Sequence, residues 1–205
     1  MTHHHAATSA KLAPASVHTG PLDWRRIVEW LRTDGVIADE EAQRTIARCS
    51  QAESSQHPLV RLANVAMARA SDGKPLDAEM LTEYLAQRCG LPYLRIDPLK
   101  VDVGRVAEVM SLQYAEMRKV LPVNVSTDLV TVATSEPFDT GWLPEIESHS
   151  RRRVKLVLAN PEDVARYTTE FYSLARSVRQ AQKSGETSST ASFEQLVELG
   201  KTNKQ

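Results

Sequence analysis

Residues 90–163 constrain the chain most. Gly90-Leu91-Pro92-Tyr93-Leu94-Arg95-Ile96-Asp97 reads as a turn feeding a short strand. Two runs rich in β-branched residues follow, Val120 to Val125 and Leu129 to Ala133, separated only by Ser126-Thr127-Asp128, which predicts a hairpin. Val154 to Leu158 is a further apolar run, closed by Asn160-Pro161-Glu162-Asp163: an N-cap residue, Pro at the first helical position and two acids in the first turn. Between the first strand and the hairpin, Val103, Val106, Val109 and Met110 form a helical stripe, and one or two helices fit 102–119. Trp142, Leu143 and Ile146 predict another helix. After Pro161 the stripe Val164, Tyr167, Phe171, Leu174 and Val178 predicts a helix to about residue 179. Strands covered by helices of this kind imply a small α+β layer structure, sandwich-like, with about three strands.

The preceding residues have a different grammar. Leu22, Ile27, Val28 and Leu31 lie at helical spacing, and Thr33-Asp34-Gly35 stops that helix. Asp39 reads as the cap of a second helix, Leu59 to Ala70 as a third, and Asp77 as the cap of a fourth with Met80, Leu81, Tyr84 and Leu85 inward. Four short helices imply a small bundle. The predicted organisation is therefore a disordered tail over 1–20, a helical bundle over 21–90, an α+β part over 91–180 and a polar linker region over 181–205.

Composition excludes several classes. The net charge of the 205 residues is −1 and aromatics are 5%, so neither bulk attraction to nucleic acid nor base stacking is expected. The cysteines, Cys49 and Cys89, stand in different predicted helices and suggest reduced thiols in a cytoplasmic protein, not a zinc site or disulfide. No apolar run approaches the roughly 18 residues of a membrane span, and the N-terminus lacks a signal core, so neither insertion nor export is expected. There is no G-x-x-x-x-G-K-[ST] phosphate loop, G-x-S-x-G elbow or H-E-x-x-H pair. No catalytic residue and no metal ligand is predicted; His3-His4-His5 reads as tail.

The order of motifs in the second half resembles a known family. G-L-P-[YF]-x-x-[IL]-D (Gly90 to Asp97), L-P-V (Leu121 to Val123), L-x-V-A-x-x-x-P-x-D (Leu129 to Asp139) and V-x-x-V-L-A-x-P-E-x-[IV] (Val154 to Val164) are similar to the N-terminal, MshEN-like domain of the GspE/PulE/PilB ATPases of type II secretion and type IV pilus assembly. The resemblance spans about residues 24–172. It implies a non-catalytic docking and regulatory domain that ties a cytoplasmic motor to an inner-membrane assembly protein. The ATPase core would lie beyond the linker, and the protein would sit at the inner membrane through its partner.

Some members of that family bind cyclic di-GMP through a repeated R-L-G-x-x-L-x-x-x-G motif with a later L-x-x-x-L-x-x-Q. The resemblance carries over a first copy at Arg26, Leu31 and Gly35, and a second at Arg61 and Leu62 with Arg88 at the Gln position. Val28 stands where the close-approach Gly belongs and Cys49 where Gln is expected, which predicts helices that keep their packing role and have lost the ligand. Cyclic di-GMP binding is thus the alternative to docking. Arg151-Arg152-Arg153 reads as a solvated basic loop. Trp24 and Trp30 lie on different sides of one helix at 100° per residue, so one is expected in the core and the other exposed as a partner anchor. Leu59, Leu62 and Met67 suggest a spare apolar face beside them.

Overall fold

The structure, a computed structural model, describes residues 19–202, with side-chain environments to residue 185. The predicted tail falls almost wholly outside the described residues. The bundle comprises α1 (Trp24–Thr33), α2 (Asp39–Ser50), α3 (Pro58–Val65) and α4 (Ala78–Cys89). Asp23 caps α1 by accepting from Arg25 N–H, and Asp77 caps α4 by accepting from Met80 N–H, as side chains at these positions do. Asp39 is not a cap. Ala38 holds that position without a side-chain bond, and Asp39, Glu40 and Glu41 instead place negative charge in the first turn of α2.

Helix α3 is shorter than its composition suggests. The chain leaves it at Ala66, in the left-handed conformation with φ 56°. Ala68 and Pro75 then form an antiparallel bridge, and Leu76 N–H donates to Met67 O. Ala and Met favour helix locally, but this turn buries Met67 and Leu76 in one core, and tertiary burial overrides the local preference. Ile27, Val28, Leu31, Leu59, Leu62, Met67, Leu81 and Leu85 are fully buried there.

The second half has the predicted α+β architecture. Helices α5 (Val103–Val109) and α6 (Leu112–Arg118) precede β1 (Val120–Val125) and β2 (Leu129–Thr134); α7 (Leu143–Ser150), β3 (Arg153–Leu158) and α8 (Pro161–Thr202) follow. The sheet order is β1-β2-β3, with β1 antiparallel and β3 parallel to β2. Pro122 has no N–H to donate; it sits in an edge strand beside a register shift between Pro122 and Asn124, where that loss is tolerated. The strand expected over 93–97 is reduced to a single bridge, Tyr93 with Leu158. Leu158 N–H donates to Pro92 O and Leu94 N–H to Leu158 O, after which Pro98 opens a short 3-10 turn. Asn160 caps α8 by accepting from Glu162 N–H, as predicted.

Two apolar clusters form. One, around Val120, Leu121, Val130, Val132, Trp142 and Phe171, joins the sheet to α5–α8; the other is the bundle core, and it includes Leu158. Helix α8 does not give way to an irregular linker after residue 180, since it runs to Thr202. Its stripe buries Val164, Phe171, Tyr172 and Ala175, while Leu174 and Val178, expected in the core, are 53% and 43% exposed: Leu174 lies roughly 100° off the buried face, and Val178 stands beyond Ala175, the last buried residue described.

Val157 is 3% exposed in the run of β3 that pairs with β2. Val157→Asp places a charge there at a cost of several kcal/mol, comparable to the ~5–15 kcal/mol that holds a whole domain together. A thermal melt should show the sheet layer unfolded. Ala66→Gly relieves a left-handed residue at the end of α3 and should stabilise by about 0.5–1 kcal/mol in urea unfolding.

Candidate docking and ligand site

The six residues of the sequence-derived ligand motif do not converge on one cavity. Leu31 and Leu62 are fully buried core residues, as is Val28. Gly35 is exposed at φ 71°, where its lack of a Cβ serves the turn; nothing lies within 4 Å of where a Cβ would stand. The guanidinium of Arg61 donates to the carbonyls of Cys49 and Ala52, satisfying the end of α2, and lies 5.1 Å over the Trp24 ring. Arg88 is paired with Asp34 and lies 4.9 Å over the Trp30 ring, beside the far end of α1. Arg26 is half-buried on α1. A cleft of about 480 Å³ near Trp24 is lined by Arg61, Asp23, His57, Lys119 and Glu136, but not by the other five motif residues.

Neither tryptophan is a free anchor. Trp24 is buried between Arg61 and Arg25, the latter 4.4 Å from the ring. Trp30 is half-buried and meets Phe138 edge-on, with centroids 6.1 Å apart. The spare face beside them is absent, because Leu59, Leu62 and Met67 are all fully buried. Among the described residues, the exposed large apolar side chains are Ile46 on α2 and, in the second half, Leu99, Met117, Leu174 and Val178. The basic loop is tied down at two points: Arg152 Nε donates to Ser126 O at 2.8 Å, and Arg153 reaches Asp128 at 3.4 Å.

Sequence reasoning missed the polar contacts that join the two halves. His57 Nδ1 accepts from Leu59 N–H and caps α3, which leaves Nε2 as the donor to Ser135 O at 2.9 Å, with Glu136 Oε1 at 3.2 Å. Glu136 Oε2 accepts from Leu22 N–H at 2.9 Å. On the other side, Glu79 of α4 accepts from Asn160 at 2.9 Å and from the Tyr93 hydroxyl. His57-Pro58 carries a helix-start signal, but no local pattern points to partners 78 and 79 residues away.

Comparison with known proteins follows the same division. Residues 89–178, the sheet layer and its helices, match the MshEN domain. Over this stretch the chain is similar to MshEN domains. It is 32% identical over 162 residues to the type IV pilus assembly ATPase TfpB of Acinetobacter baylyi; the alignment covers 77% of this chain and 27% of TfpB, so the chain spans about a quarter of that relative's length. Among solved structures, MshE with cdg is similar at a TM-score of 0.54 and 16% identity, over 72% of this chain and 99% of that one. The N-terminal domain of XpsE is similar at a TM-score of 0.46 and 17% identity, over 72% and 94%. The resemblance read from the four motifs is therefore correct, and the MshEN match falls on the residues that carry them.

The pair at the end of α1, beside the stretch that matches the MshEN domain, titrates. Partial burial pushes the Asp34 carboxyl up, but hydrogen bonds from Arg88 and Tyr84 outweigh it and hold the pKa below the ordinary value. A depressed folded-state pKa means that the stabilisation is complete above about pH 4, the ordinary Asp value, and is lost as pH falls through the lower folded value. Asp34→Asn should therefore flatten the pH dependence of the unfolding midpoint below about pH 4. Trp24→Ala should cost about 3–5 kcal/mol as a buried large-to-small change, and Trp30→Ala less, which urea titration of both variants measures.

Proposed function

We propose that this chain is a docking and regulatory domain of a secretion or pilus-assembly ATPase, coupling the motor to an inner-membrane assembly protein from the cytoplasmic side. The observation that carries this reading is the MshEN match together with the alignment to a quarter of TfpB, a pilus assembly ATPase. The packing agrees with such a role. The polar contacts around His57 and Glu79 brace the bundle against the sheet layer, and α8 leads away from both. No helix of the described residues is long and apolar enough to cross a membrane.

Phosphoryl transfer needs a phosphate cradle, a Lys and a held Mg²⁺. The chain has no phosphate-loop motif to supply them. We expect it to release no phosphate from ATP above a buffer control. The docking reading is tested by pull-down from membranes with the chain as bait. Retention of the cytoplasmic part of a pilus or secretion assembly protein supports it, and a clean blank under conditions where the full ATPase retains that protein overturns it.

A second reading, a cyclic di-GMP receptor, draws on the fold shared with MshE, whose structure was solved with cdg. Against it stand the buried Val28 at the close-approach position and the engagement of Arg61 and Arg88 with carbonyls and Asp34. A ligand would have to displace these contacts. Isothermal titration with cyclic di-GMP should show no saturable heat at micromolar concentrations.

A further inference from the structure

Where α8 leaves the sheet layer it borders a groove of about 490 Å³ against α5 and α6. The floor is apolar: Leu112 from α6, and Tyr172 and Ala175 from α8. Tyr172 presents its ring there, since its hydroxyl is spent on Met110 O at 2.8 Å. One wall carries Arg176, Arg179 and Lys183, spaced i, i+3, i+7 and so aligned in one row along the helix. No Asp or Glu lines the groove, although the chain as a whole has net charge −1. From Tyr172 to Lys183 the row is roughly 16 Å long at 1.5 Å per residue, which matches about three turns of a bound helix.

We propose that this groove docks an amphipathic helical segment of a partner, one that presents an apolar stripe to Leu112, Tyr172 and Ala175 and Asp or Glu residues to Arg176 and Arg179. The proposal deepens the docking reading, since it assigns that role a surface and a partner chemistry. The charge row supplies complementarity and the recessed floor supplies burial, the combination that helix-in-groove recognition uses. A flat lipid surface would meet the cations but not reach the floor.

The test uses a labelled peptide of about 18 residues, Leu on one helical face and Glu on the other, with a twin in which Lys replaces every Glu. Fluorescence anisotropy should show saturable binding of the acidic peptide that weakens with salt, and little binding of the twin. Arg176→Glu with Arg179→Glu should weaken the acidic peptide by about tenfold or more at an unchanged melting temperature. If that variant is destabilised, Arg176→Gln with Arg179→Gln serves, with the same direction of change. Arg151→Glu with Arg153→Glu, in the other basic cluster, should leave binding as it is. Equal binding of both peptides, no binding of either, or indifference to the α8 substitutions overturns the proposal. So does phosphatidylglycerol vesicle binding that the α8 substitutions abolish while the peptide stays unbound. The synthetic probe separates the two ideas: groove binding with a failed membrane pull-down overturns the docking reading alone, and a successful pull-down that the α8 substitutions leave intact overturns the groove alone.

Discussion

Leu158 is the point on which the two halves of the molecule depend. It is the last residue of β3, its backbone pairs with Pro92 and Leu94, and its side chain lies in the bundle core. A strand end buried in the neighbouring layer ties the two layers together, alongside Tyr93 and Phe138, which also pack against the bundle core. The polar contacts flank it. His57 with Ser135 and Glu136 lies on one side, Glu79 with Asn160 and Tyr93 on the other. Buried polar groups of this sort add little net stability but penalise any other arrangement, because separation would leave them unpaired.

The fold was legible where local grammar and tertiary burial agree. The β-branched runs at 120–125 and 129–134, the Asn160-Pro161 helix start and the Asp77 cap each carry their signal within a few residues. It was illegible where burial decided against composition. Ala66 to Ala70 favours helix, yet Met67 is drawn into the core by a turn, and the 93–97 run reads as strand but finds only one partner residue on β3. Residues 181–192 are polar and read as linker, while α8 continues through them, because polar composition does not itself break a helix.

The candidate site was less legible than the fold. Arg61 and Arg88 occupy the positions that a ligand motif would give them, yet in this chain they satisfy the end of α2 and neutralise Asp34. An arginine at a motif position is read equally well as ligand contact or as helix terminus partner until its surroundings are known. The tryptophans teach the same lesson. Their angular separation on α1 is real, but Phe138 arrives from 108 residues away to cover the second ring, which periodicity on one helix cannot anticipate.

Helix α8 has a mechanical consequence. Among residues whose side chains are described, to residue 185, the last buried one on α8 is Ala175; the helix backbone runs on to Thr202, roughly 40 Å further at 1.5 Å per residue. A tilt of about 10° at the base carries the tip through roughly 7 Å, more than one helical turn. Moved as a rigid body about its contacts with α5 and α6, such a helix would act as a lever. On that geometry a rearrangement of less than an ångström around Tyr172 would be magnified severalfold toward Thr202.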